Sequence, residues 1–174
     1  MSVQDPLSSV EAMRNAVEKL AARVPGFAGY KARETRREAD KLLRAALARR
    51  IMEQVQRLSQ VQRALLRSGG LRWLDDVEAA VVRLQTLADQ IRTAAYGYAG
   101  IFDAVKINEP QLAQLYAFDL QLWETADQLA QAVERLQAAV GGDDFGPALA
   151  DLMRLAREAL TTFHRREEVL LAAA

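Results

Sequence analysis

The chain has 174 residues, 51% of them hydrophobic, and its 23 Lys plus Arg balance 23 Asp plus Glu. That length suits a single domain with a sizeable core, and the even charge excludes nucleic-acid or anionic-lipid binding by bulk attraction. The absence of cysteine excludes disulfides, thiolate metal sites and thiol nucleophiles.

Five helices are expected in chain order. The first spans about residues 6–23, with Pro6 in its first turn and Val10, Met13, Val17, Leu20 and Val24 at helical spacing. Val24-Pro25-Gly26 ends it, because proline cannot continue the ladder. The second runs from about residue 31 to 67, with Leu43, Leu47, Ile51, Val55, Leu58, Val61 and Leu65 on its inner face. Its first turns, KARETRREADKLLR, read as charged all round, and Ser68-Gly69-Gly70 as a cap and tight turn. The third covers about 71–96, with Leu74, Val77, Val81, Leu84, Ala88, Ile91 and Ala95 in 3-4 spacing.

After a break over 97–108, Asn108 caps a fourth helix with Glu109 and Pro110 in its first turn, running to about 140. Its seam is Leu112, Leu115, Asp119, Leu122, Ala126, Leu129, Val133, Leu136 and Val140. GGDDFGP (141–147) is a turn, and the last helix spans about 147–171, with Leu149, Leu152, Ala156, Leu160, Phe163 and Leu170 inward. No stretch alternates with period two for long enough to form a strand. The expected fold is all-α: an antiparallel up-down-up-down four-helix bundle with an additional short N-terminal helix packed across it.

Such a bundle gathers most of the aromatic residues at one end: Phe27, Tyr30, Tyr96, Tyr98, Phe102, Tyr116, Phe118, Trp123 and Phe163. Trp73 and Phe145 flank the opposite turns, where they would plug that end. Two similar tetrapeptides, Gly26-Phe27-Ala28-Gly29 and Gly97-Tyr98-Ala99-Gly100, belong to the aromatic end, and glycines there permit positive φ or close backbone approach. Two readings stand: the aromatics close the end and dock the first helix, or they form a partner surface or pocket. Asp103 and Lys106, in the link, either cap helix ends or act with that surface.

Asp119 is a carboxylate at a seam position between Leu115 and Leu122. An isolated buried charge is too costly to persist, so a partner is expected. Counting outward from the turns puts Arg50 and Arg166 near its level, and Arg92 about one turn away. Asp119 is expected to pair with one or two of these. A register-fixing ion pair is the structural reading, and a catalytic or ligand-binding carboxylate the functional one.

Familiar catalytic patterns are missing. A di-iron carboxylate bundle needs two Glu-x-x-His motifs; the chain has none, and its one histidine, His164, is followed by Arg165-Arg166-Glu167-Glu168. No serine has a histidine near it, and there is no P-loop or GxGxxG. The basic cluster Lys31, Arg33, Arg36 and Arg37 is interleaved with Glu34, Glu38 and Asp40, which reads as a salt-bridged exposed helix. No catalytic residue, metal or cofactor is expected. No apolar run approaches the ~20 residues that cross a bilayer, and MSVQDPLSSVEAM lacks the basic and apolar regions of a signal peptide. A cytoplasmic location is expected.

PGFAGYKARETRREADKLLR and YGYAGIFDAVKINEPQLAQLYAFDL resemble a group of bacterial and archaeal all-helical proteins of unassigned function. The likeness covers roughly residues 24–120, with Gly-Tyr-Ala-Gly…Phe-Asp-Ala-Val-Lys as its most specific part. It implies a helical fold and marks these two stretches; it implies no activity or cofactor. The expected function is non-enzymatic interaction with a protein partner through the aromatic, glycine-rich end, and self-association through the projecting part of the second helix is a further reading. The alternative is a small-ligand binder or enzyme with a pocket at that end around Asp119.

Overall fold

The computed structural model describes residues 6–29, 36–94 and 108–172, and these are helical apart from short turns. The helices are α1 (Pro6–Arg23), α2 (Arg36–Ser68), α3 (Leu74–Thr93), α4 (Glu109–Ala138) and α5 (Phe145–Ala172), with one 3₁₀ turn at Leu71–Trp73.

Each boundary has a local cause. At the end of α2 the Gly70 N–H donates to the Leu65 carbonyl at 2.9 Å, closing the last turn. The chain then takes a 3₁₀ turn, so α3 begins at Leu74, three residues later than the periodicity suggests. At α4, Asn108 Oδ1 accepts from the Gln111 N–H at 3.0 Å, and Gln111 Oε1 accepts from the Asn108 N–H at 3.1 Å. This capping box satisfies two otherwise orphan donors, and Pro110 lies where its missing N–H costs nothing. Helix α5 starts two residues before the expected position, with Gly146 and Pro147 in its first turn.

The apolar stripes form one core. Leu43 to Leu65 on α2, Val77 to Ile91 on α3, Leu112 to Leu136 on α4 and Leu149 to Leu170 on α5 all contribute buried residues. On α5 the inward line passes through Leu155, Ala159, Phe163 and Arg166, and Leu160 is only half-buried.

Helix α2 packs on α3, and α4 packs on α5. Gln62 of α2 reaches Glu78 of α3 at 2.7 Å, and Arg135 of α4 reaches Asp151 of α5 at 2.7 Å, so each pair is antiparallel. The two hairpins meet through α2 against α4 and α3 against α5. Arg50 bonds Asp127 at 3.1 Å and Arg57 bonds Gln137 at 2.9 Å, so α2 and α4 run parallel. Helices α3 and α4, consecutive in the chain, are not a main packing pair. Helix α1 lies against α4 and buries Ala16, Leu20 and Val24.

At the end where the α2–α3 and α4–α5 turns lie, the Trp73 and Phe145 rings pack with centroids 5.5 Å apart. A Cβ on Gly146 would fall 2.9 Å from the Trp73 ring, so this contact requires glycine there.

Candidate functional site

Four charged side chains are buried together beneath the other end. They are Asp40 and Arg44 on α2, Asp119 on α4 and Arg166 on α5, each 3% exposed or less. Arg166 donates from Nε to Asp119 Oδ1, and from Nη2 to Asp40 Oδ1 at 2.6 Å. Arg44 Nε donates to Asp40 Oδ2 at 2.7 Å, so both Asp40 oxygens accept from guanidinium groups. Arg44 Nη1 also donates to the carbonyls of Ile91 and Arg92, at 3.1 Å each. Those carbonyls belong to the last turn of α3, where helical partners run out and the macrodipole favours a cation.

The cluster holds two cations and two anions, and it ties α2, α3, α4 and α5 together. Two charges alone in a low-dielectric interior cost several kcal/mol each in desolvation. The alternating chain of charge-assisted bonds, Arg44–Asp40–Arg166–Asp119, offsets that cost only while its members are present. Arg166 can serve two carboxylates because its planar fork presents separate nitrogens in fixed directions. Buried and paired, Asp119 offers a substrate no open carboxylate in this conformation.

The residues singled out in the sequence fall in three groups. Asp119 and Arg166 meet. Arg50 and Arg92 take other partners: Arg50 bonds Asp127 at 3.1 Å, and Arg92 bonds Asp89 at 2.9 Å on the surface. Arg50 is therefore level with a residue eight positions beyond Asp119, about 12 Å along the helix. Counting from the turns misjudged this level because α4 is displaced along α2. Tyr30, Tyr96, Tyr98, Phe102, Asp103 and Lys106 lie outside the described residues.

Phe27 is 4% exposed and belongs to the core, so it builds this end and presents no face to a partner. Its loop is held against α4: Gly29 has φ of +91°, and a Cβ there would lie 2.8 Å from the Tyr116 hydroxyl. Tyr116, Trp123 and Phe163 are also buried. His164 is exposed beside Phe163, with ring centroids 6.4 Å apart.

Asp40 and Arg44 were hidden in sequence by their charged neighbours. The signal was present: extending the α2 stripe upstream from Leu47 at helical spacing reaches Arg44 and then Asp40. On α5 the same step from Phe163 toward Leu170 passes through Arg166.

Two clefts open elsewhere. One of about 490 Å³ runs between α2 and α4, lined by residues including Arg50, Gln54, Arg57, Asp127 and Glu134. A second, of about 330 Å³, lies near the end of α1 beside Arg23, Arg49, Trp123 and Asp127. Asp119 and Phe27 line neither. Among the described residues no group of three or more His, Asp or Glu side chains could hold a metal ion. No described helix is long and apolar enough to cross a membrane. Comparison with family models, curated proteins and solved structures finds no match to this chain.

Proposed function

We propose that this chain is a non-enzymatic helical interaction protein of the cytoplasm, which binds a protein partner through its glycine- and aromatic-rich end. In this reading α2 to α5 form an up-down-up-down four-helix bundle, and α1 is an addition packed on α4. The chain shares this architecture with the helical group that its Gly-Phe-Ala-Gly and Gly-Tyr-Ala-Gly stretches resemble.

The observation that carries the reading is Arg166 bonded to both Asp40 and Asp119. The most anomalous carboxylate in the sequence is engaged in holding helices together. That makes the end a rigid platform, and rigid scaffolds are where interaction loops are displayed. The 26–29 loop rests on this platform through Gly29 and Tyr116. We assign the partner surface to residues 26–33, the buried Phe27 apart, and 96–109, with Tyr30, Tyr98 and Lys106 as its contact groups. A small-ligand site around Asp119 is the weaker reading, because that carboxylate is 2% exposed and lines neither cleft.

Affinity capture from the native host tests this. Wild type is compared with Tyr98→Ala/Lys106→Ala, with folding of each verified by circular dichroism. A protein recovered by wild type and lost by the folded variant supports the surface, and titration of that purified protein must then show saturable binding. Identical recoveries from both baits remove the surface.

A further inference from the structure

The opposite end of the molecule carries a different pattern. From Glu53 to Asp75 the chain has no acidic residue between them, and Arg63, Arg67 and Arg72 are exposed around the α2–α3 turn. From Arg135 to Arg154 it has no basic residue between them, and Asp143 and Asp144 are exposed in the α4–α5 turn. The Trp73–Phe145 contact joins the two turns side by side. The α2–α3 turn over residues 66–73 is therefore a tip that carries only basic charge, with Asp75 and Asp76 following in the first turn of α3, and the α4–α5 turn beside it is a tip that carries only acidic charge.

The basic tip is also apolar. Leu66 and Leu71, at 59% and 60% exposure, are the most exposed large hydrophobic side chains among the described residues. Trp73 is half-buried against the core, with the Arg72 guanidinium 5.2 Å from its ring centroid. A tryptophan and arginines match the composition of interface centres, and the exposed leucines add apolar area beside them.

Some surface charges find partners: Arg135, Asp151, Arg154 and Glu158 form a continuous set, and Asp127 takes both Arg23 and Arg50. Arg67, Arg72, Asp143 and Asp144 make no ion pair among the described residues.

We propose that this end is a self-association surface, in which the basic tip of one copy meets the acidic tip of a second. A two-fold axis between the molecules makes that contact twice, because a two-fold interface uses one self-complementary patch. Leu66, Leu71 and Trp73 then lie near the axis, withdrawn from water. An anionic membrane is the poorer occupant: Asp143 and Asp144 share this end and are repelled by it, whereas a second copy offers them Arg67 and Arg72.

Sedimentation velocity of the full chain tests this. Wild type, Arg67→Asp/Arg72→Asp and Asp143→Arg/Asp144→Arg are run across a micromolar to millimolar series, in low and high salt. All four positions are exposed, and circular dichroism checks that each variant folds. Wild type should form a dimer that weakens with salt. Each variant should raise the Kd about tenfold or more, since like charges then face each other. An equimolar mixture of the two variants, one with two acidic tips and one with two basic tips, should recover a heterodimer. Leu66→Gln/Leu71→Gln should weaken association at both salt concentrations. A wild type that stays monomeric throughout overturns the proposal. So does a dimer insensitive to the charge reversals, or a variant mixture that does not associate. Leucine-dependent co-sedimentation of a monomeric wild type with phosphatidylserine–phosphatidylcholine vesicles would overturn it in favour of a membrane.

Discussion

Asp40 and Asp119 share a single guanidinium. They stand 79 positions apart in the chain, on α2 and α4, and Arg166 of α5 bonds an oxygen of each. Neither carboxylate is open to water, and Asp40 also has Arg44 at 2.7 Å, so Arg166 is the guanidinium that the two buried negative charges have in common.

Replacing Arg166 should therefore be costly. Arg166→Met is expected to lose about 3–5 kcal/mol in urea unfolding, because it takes a guanidinium from buried Asp119 and leaves Asp40 with Arg44 alone. Arg166→Lys should recover little of this, since one ammonium cannot reproduce the two-directional fork. Asp40→Asn/Asp119→Asn combined with Arg166→Met should be less unstable than Arg166→Met alone. An Arg166→Met protein within about 1 kcal/mol of wild type would rule out the role assigned to this network.

Arg44 closes α3 from outside it, through the Ile91 and Arg92 carbonyls. Arg44→Met should cost about 1–3 kcal/mol, with part of the loss felt locally. Amide exchange in the last turn of α3, around Leu87 to Thr93, should quicken relative to the middle of that helix. Uniform change along α3 would indicate only a global loss.

Gly29 is held at positive φ and directly against Tyr116. Gly29→Ala should destabilise by about 1–2 kcal/mol from the backbone alone, and the added methyl must also displace the hydroxyl. Thermal unfolding reads the loss, and near-ultraviolet circular dichroism reads the shift in the tyrosine's surroundings. An alanine variant with unchanged melting and spectrum would mean the loop is not seated there.

Acid sensitivity has a surface contribution at Asp151. The Arg154 guanidinium, hydrogen-bonded to it, and then Arg135 hold its carboxyl below the ordinary carboxylate value, against the opposing pull of burial. A carboxylate with a lowered folded pKa stabilises above its unfolded value of about 4 and loses that contribution as pH falls through the folded one. Asp151→Asn should therefore narrow the gap between stability at pH 7 and in acid. The side chain is 34% exposed, so screening keeps the effect below about 1 kcal/mol. Added salt should shrink it further, and an effect that salt leaves intact would point to another cause.

Most of the helical layout was legible in the chain itself. The 3-4 stripes of Leu, Val and Ala fix which face of each helix is buried, because leaving those side chains in water is costly at every turn. Asn108-Glu109-Pro110 marks a helix start, and Ser68-Gly69-Gly70 a helix end, by local hydrogen bonding alone. Asp119 stood out as a charge on an apolar stripe, which means that it needs a partner wherever the stripe is buried.

The partner's identity was settled at tertiary level. Stripes fix rotation about a helix axis far better than translation along it, since sliding by a heptad preserves an apolar match. Packing settles that translation, and it sets Asp127 beside Arg50, while Asp40 and Arg166 meet. The same freedom hides which helices are neighbours: the seams of α3 and α4 suit either a shared face or the observed pairing of α2 with α4 and α3 with α5. The observed pairing is the one that brings Arg44, Asp40, Arg166 and Asp119 together, so that the buried charges of α2, α4 and α5 meet at one place.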